Sequence, residues 1–352
     1  MNNIFNFATS ELSQDAVIAW ILNWINEETN SKLYSLAVKL LESMGVSKDE
    51  LQSGIRIEQQ YKHIDILIII KAVNKAIILE DKVYTGEHDE QIAKYFEEIK
   101  NLSPIDKEWL GITDDVNIST VYLKTGYMYD YDKQVVADIK INGPQLYSIL
   151  DGYQGESEIL DSYIIFLKER IDWYERHLDF TNIYDLSHHT ITQYSLMRTI
   201  FPENKWDGKS NIYKVYDGIN KGGTPWTQMV IYKGKNFMDE PYYLFWRIDS
   251  DNKGPYISLR FYDKYNKKDE QEKQSHLEKY YRLRECVQAC INSGKYSFKR
   301  EDVIPGFRGN YYEAEIFCWH IENILKNRNA EINKLISDIA LLTTEFVGNI
   351  IN

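Results

Sequence analysis

Ile64-Asp65-Ile66-Leu67-Ile68-Ile69-Ile70 and, across residues 71–75, Ala76-Ile77-Ile78-Leu79-Glu80-Asp81-Lys82 form the stretch that decides the fold. After Asp65 the first run is apolar at every position, the pattern of a strand covered on both faces. The second run repeats it and ends in three charged residues. Residues 71–75 are a connection short enough for a hairpin, so the charges of both runs gather at one end. Pairing Asp65 with Glu80 puts both side chains on one sheet face, where opposed Cβ atoms lie about 4.5–5.5 Å apart and two carboxylates can share a metal. Lys82, two residues beyond Glu80, falls on the same face. A one-residue slip pairs Asp65 with Asp81 instead and turns Glu80 away. Spacing alone also suits a bland reading, in which these charges mark the soluble ends of buried strands.

Working outward, Ser10 is placed to cap a helix over residues 11–28, with Leu12, Ala16, Ala19, Trp20 and Leu22 at helical spacing. A second helix over 32–44 stops at Gly45, and a strand is expected over 55–59. Downstream, residues 87–102 return to a helical period, with Ile92, Phe96 and Ile99 on the buried stripe and Gln91 and Tyr95 one turn apart. The acidic stretch 87–90 reads as first-turn charge. A strand over 119–124 and helices near 145–150 and 156–174 complete a mixed α/β domain spanning residues 1–180. The remainder, 181–352, reads as an α+β accessory domain that binds substrate or a partner. It has aromatic-rich strands over 227–232, 242–248 and 256–262 and helices over 269–293 and 319–347.

These residues resemble a known family. Ile64-Asp65-Ile66-Leu67-Ile68 followed by Ile78-Leu79-Glu80-Asp81-Lys82 looks like the D-x(n)-E-x-K core of the PD-(D/E)XK nucleases, with Ile64 where the superfamily name has proline. Ser10-Glu11-Leu12-Ser13-Gln14-Asp15 resembles the opening helix of an uncharacterised branch, Gln91-x-x-x-Tyr95 the Q-x-x-x-Y helix of exonuclease-like members, and Val121-Tyr122-Leu123 the strand after it. The resemblance covers roughly residues 1–175. It implies a restriction-endonuclease-like core, a mixed sheet flanked by helices. It also implies that Asp65, Glu80 and Glu11, with the backbone carbonyl of Asp81, bind one or two Mg²⁺ ions, Mn²⁺ substituting. Lys82 then orients water or offsets charge on the phosphate, and Gln91 and Tyr95 support the site or hold substrate phosphate. The implied activity is hydrolysis of DNA, with restriction or phage defence as the suggested setting. Two alternatives stay open: an RNase on the same fold, and a catalytically silent fold whose C-terminal domain binds a protein or ligand.

The formal charge of −12 argues against a broad basic surface for duplex DNA, so any grip on phosphate must be local. Lys295, Lys299, Arg300 and Arg308, with Tyr296 and Phe298 interleaved, are the strongest local patch, against the reading of a solvated loop. The opening Met1-Asn2-Asn3-Ile4-Phe5-Asn6 lacks a signal-peptide pattern and no run is apolar enough to span a bilayer, so the expectation is a cytoplasmic protein without membrane contact. A homo-oligomer or a protein partner is compatible with this composition. The three cysteines, Cys286, Cys290 and Cys318, are too few for a disulfide framework. With His320 they supply zinc-ligand types, but without the short paired spacings of structural zinc sites, so core packing is the better account. His188-His189 lacks a nucleophile to activate, and Tyr242–Trp246 reads as core. Gly208-Lys209-Ser210 has Glu203 where a phosphate loop needs glycine, which removes a nucleoside-triphosphate site.

Overall fold

The computed structural model describes residues 3–351 except 9, 28, 88–89, 236–240, 267, 305–308, 311 and 322–329. The chain divides into two compact units, Met1–Tyr174 and Glu175–Asn352.

The first unit runs α1 (Glu11–Asn23), α2 (Lys32–Ser43), β1 (Arg56–Tyr61), β2 (Ile64–Ile70), β3 (Lys75–Lys82), α3 (Gln91–Lys100), α4 (Pro104–Leu110), β4 (Asn117–Lys124), α5 (Asp130–Gln134), β5 (Ile139–Asn142), α6 (Gly143–Leu150) and most of α7 (Glu158–His177), whose last residues, 175–177, belong to the second unit. Its sheet is mixed, in the order β1-β2-β3-β4-β5. β1, β2 and β3 are antiparallel neighbours, whereas β4 lies parallel to β3 and β5 parallel to β4. The β3-to-β4 crossover carries α3 and α4. Ile66, Ile68, Ile77, Leu79, Val121 and Leu123 face a core built with α1, α2, α6 and α7. Leu67, Ile69, Ala76 and Ile78 face a second core with Ile99, Leu102 and Leu110. Burial on both faces explains why the deciding stretch shows no alternation. Truncating one of these isoleucines to alanine would cost about 2–5 kcal/mol.

Local details depart from the sequence reading. α1 ends at Asn23 and passes into a 3₁₀ turn, and Ser10 has the cap backbone conformation but no side-chain cap bond. The buried stripe of α1 holds Gln14, Asp15, Val17, Ile18, Ala19, Ile21 and Leu22, leaving Leu12 and Ala16 exposed. α3 starts at Gln91 rather than 87 because Glu90 adopts a left-handed conformation that no helix can continue. Asn74, also left-handed, turns the chain from β2 into β3 after a 3₁₀ turn.

The second unit contains α8 (Ile183–His188), α9 (Thr190–Ile200), β6 (Val215–Ile219), β7 (Pro225–Lys235), β8 (Pro241–Asp251), β9 (Gly254–Asp263), α10 (Glu270–Asn292), β10 (Gly309–Asn310), β11 (Glu313–His320) and α11 (Ala330–Ile351). Six strands form an antiparallel sheet in the order β10-β11-β9-β8-β7-β6, against which α9, α10 and α11 pack. Residues 319 and 320 thus end a strand rather than begin a helix. Ala314 and Ile316 point into the core while Glu313 and Glu315 meet Arg260, an alternation of period two. Leu244 and Trp246 of β8 are core residues, and the Trp246 indole donates to Thr343 Oγ1 at 2.8 Å. Among the described residues no helix is long and apolar enough to cross a membrane.

Candidate active site

β2 and β3 pair through Ile66–Leu79 and Leu67–Ile78, and one further step of that register sets Asp65 opposite Glu80. The backbone N–H of Asp81 donates to Asp65 Oδ2 at 2.9 Å, fixing the end of β3 to the Asp65 carboxylate. Glu80 is 1% exposed and Lys82 7%, and the Lys82 ammonium lies 2.5 Å from Glu80 Oε1. α1 delivers Glu11, whose Oε1 accepts from the Val83 N–H at 3.2 Å and from Thr85 Oγ1 at 3.0 Å, just past the end of β3. Asp65, Glu80, Lys82 and Glu11 therefore meet at one end of the sheet, with the Asp81 backbone between Glu80 and Lys82.

α1 brings two further residues that the sequence reading passed over. Gln14 donates to Asp81 Oδ1 and accepts from Thr125 Oγ1 at 2.7 Å, tying α1 to the ends of β3 and β4. Asp15, buried beside it, receives Gln60 Nε2 at 3.4 Å, and the same amide reaches Asp65 Oδ1 at 3.3 Å. The available signal was helical spacing: Gln14 and Asp15 follow Glu11 by three and four residues, and so share its side of the helix. Gly126 is required here, because a Cβ would lie 2.0 Å from the Val83 carbonyl oxygen.

Burial dominates the electrostatics. Desolvation, then the Asp65 charge, pushes the Glu80 carboxyl up to about 7, against the pull of Lys82. Asp15 is raised to about 7 by the same two causes in the same order. Asp81, fully enclosed, is raised well above the carboxylate range by desolvation and then by Asp15. Asp15 Oδ1 and Asp81 Oδ2 are buried without a hydrogen-bond donor, in keeping with carboxyls pushed toward their neutral forms. Burial works to lower the Lys82 pKa, but its contact with Glu80 and the charges of Glu80, Asp65 and Glu11 carry it above the ordinary lysine value. A site so rich in carboxylates that two of them sit near 7 is one that a divalent cation would relieve.

Gln91 Nε2 reaches the Tyr95 hydroxyl at 3.4 Å on the first turn of α3. Tyr95 packs against the core on the sheet face of Leu67 and Ile78, which is also the face of Glu80, and its hydroxyl is raised by desolvation and then by the Glu80 charge. Lys124, opposite Lys82 on β4, is buried and bonded to Asp132 at 2.6 Å, in a network that also takes the Tyr122 hydroxyl at 2.6 Å. The helix begins at Gln91 with no acidic residue in its first turn, so the stretch 87–90 is not first-turn charge; Glu87 Oε1 instead accepts from the Ile92 N–H at 3.2 Å from before the helix, while residues 88 and 89 lie outside the described residues.

In the second unit, the basic patch has a different build from the one the sequence suggested. Tyr296 and Phe298 are buried, so no aromatic is interleaved on the surface. Lys295 pairs with Glu345 at 3.4 Å and Lys299 with Glu301 at 3.9 Å, while Arg300 is exposed. Arg308 lies outside the described residues. Cys286, Cys290 and Cys318 are free thiols, Cys290 buried.

The donor set of the first unit fits a hard divalent cation. Glu80 Oε1 and Oε2 are buried without a directed hydrogen bond, and every side-chain donor in the set is an oxygen. Among the described residues no three carboxylates bring an oxygen each to within 4.8 Å of one another. A family model, the PD-(D/E)XK nuclease superfamily, matches residues 2–195. No curated protein and no solved structure matches the chain.

Proposed function

Because the chain belongs to the PD-(D/E)XK nuclease superfamily, we propose that it is a Mg²⁺-dependent nuclease that hydrolyses DNA at the Asp65–Glu80–Lys82 site. The observation that carries the reading is the meeting of a buried Glu80, its Lys82 and Asp65 on one strand pair, in a register that makes them neighbours. Asp65 and Glu80, with the Asp81 carbonyl and Glu11, would hold the cation. Bound there, Mg²⁺ supplies Lewis acidity and lowers the pKa of a coordinated water.

The remaining work falls to this chain's own groups. Lys82 is held protonated by Glu80, so its ammonium is available to orient water and to offset charge developing on the phosphate oxygens. Gln91 and Tyr95 donate to a substrate phosphate from α3. Gln14 and Asp15 position: through Asp81 and Gln60 they hold the strand ends and Asp65 in place. The site acts on a phosphodiester, which DNA and RNA share, so the polymer is decided by cleavage of matched DNA and RNA strands in Mg²⁺. Faster cleavage of DNA supports the proposal; cleavage of RNA alone replaces it with an RNase. A role in restriction or phage defence rests on resemblance to the family. It is tested by phage plating on cells expressing the wild type or Glu80→Gln, where only the wild type should protect.

A further inference from the structure

The second unit holds a different kind of donor cluster, remote in chemistry from the oxygen-only site. His177 closes α7, Asp185 lies in the first turn of α8, and His189 links α8 to α9. One donor atom from each lies within 4.8 Å of the others. Both imidazole Nε2 atoms stand 3.9 Å from the same oxygen, Asp185 Oδ1. That is too long for a hydrogen bond and too even for a single ion pair with one bystander. The two rings meet edge to face with centroids 4.5 Å apart, so the nitrogens converge without stacking.

The surroundings orient each donor. Asn182 Nδ2 donates to Asp185 Oδ2 at 2.8 Å, occupying that oxygen and leaving Oδ1 turned toward the imidazoles. The His189 N–H donates to the Asp185 carbonyl at 2.8 Å, which sets the four-residue spacing that brings both side chains to one side. Thr192 Oγ1 donates to the His177 carbonyl at 2.8 Å, and Ser195 Oγ to the Leu178 carbonyl at 2.6 Å, so α9 grips the end of α7. The Asn182–Asp185 bond is of the kind that orients metal-binding side chains in metalloproteins, while the backbone bonds set where the two histidines stand. His188 takes no part: its Nδ1 meets the Tyr184 carbonyl at 2.7 Å and its ring stacks on Tyr184.

We propose that His177, Asp185 and His189 form a Zn²⁺ site that joins the end of α7 to the α8–α9 connection. Two imidazoles and one carboxylate suit a borderline ion such as Zn²⁺ rather than Mg²⁺, which prefers oxygen and keeps its water. Ligand-to-metal distances near 2.0–2.2 Å need the three donors to close by only a fraction of an ångström to about one ångström, within side-chain adjustment. Three protein donors leave a fourth position for water.

The experiment titrates tag-free, metal-stripped full-length protein with ZnCl₂ by calorimetry, and with Co²⁺ read by its visible d–d absorption. Asp65→Asn/Glu80→Gln removes the oxygen site from the count. In that background one Zn²⁺ per chain should still bind, and the Co²⁺ spectrum should be that of a nitrogen-containing site. Adding His177→Gln and His189→Gln should weaken Zn²⁺ at least 10-fold and abolish that spectrum, with Asp185→Asn giving the same direction. Circular dichroism checks that each variant is folded. No Zn²⁺ bound in the Asp65→Asn/Glu80→Gln protein, or undiminished affinity in a folded variant lacking both histidines, overturns the proposal.

Discussion

The N–H of Asp81 is donated to Asp65 across the hairpin at 2.9 Å, while the Asp81 side chain turns the other way, to Gln14 of α1. One residue thus fixes the strand end from both sides: its backbone holds the Asp65 carboxylate, and its carboxyl is clamped by the helix. Glu80 and Lys82, its immediate neighbours, are consequently presented together on the remaining face.

Glu80→Gln should abolish Mg²⁺-dependent cleavage without lowering thermal stability at pH 8. Glu80 is a buried carboxylate raised to about 7 chiefly by desolvation, so ionisation costs folding energy that a neutral amide does not incur. Asp65→Asn should be equally inactive, its amide oxygen still accepting from Asp81. Cleavage assays and melting curves check both; wild-type turnover in either variant removes that residue from the catalytic set.

Lys82→Ala should lower single-turnover cleavage on the order of 10²–10³-fold, as loss of one transition-state donor does. Because the ammonium lies against Glu80 in the absence of a cation, its removal should leave Mg²⁺ affinity unchanged or tighter. Lys82→Arg should rescue poorly, since a planar fork cannot replace a compact ammonium. A variant that fails only through weakened Mg²⁺ binding would show that Lys82 serves the metal and not the reaction.

Asp15 makes the metal-free protein sensitive to pH. Its carboxyl is raised from 3.8 to about 7, so its favourable protonated form contributes fully below about 3.8 and is lost as pH rises through about 7. Melting temperature should therefore fall between about pH 4 and pH 7 and level off above that. Asp15→Asn should flatten that slope and stabilise at pH 8 by on the order of 1–3 kcal/mol, several degrees in Tm. Parallel wild-type and variant slopes would assign the sensitivity elsewhere.

If Lys299 and Arg300 touch phosphates, replacing both with alanine should reduce the slope of log affinity against log salt by about 1–2 while leaving turnover at saturation intact. An unchanged slope makes them ordinary surface, as the Lys299–Glu301 pair would suggest.

The hairpin was legible because two fully apolar runs flanking a short connection admit few other structures, and its charged ends then follow from register. The helix of residues 91–100 was legible as a period but not as a boundary, since the left-handed Glu90 leaves no mark in composition. Gln14 and Asp15 stayed hidden because a polar residue on a helix looks solvent-facing until its neighbours are known; here both are buried against the site. In the second unit, strand Glu313–His320 was partly read as helix because its last residues adjoin a long apolar period, and Tyr296 and Phe298 looked like surface aromatics beside lysines but face the core. The His177–Asp185–His189 cluster joins residues from two helices and a link, and the sequence reading weighed only the adjacent pair His188-His189, as a base without a nucleophile.

Crystals soaked in Mn²⁺ and measured at its anomalous edge test the central claim most directly. The account predicts an anomalous peak between the Asp65 and Glu80 carboxylates, lost in Glu80→Gln crystals grown the same way. Mn²⁺ bound elsewhere with nothing between those carboxylates, in a protein that cleaves DNA under the same conditions, would contradict it.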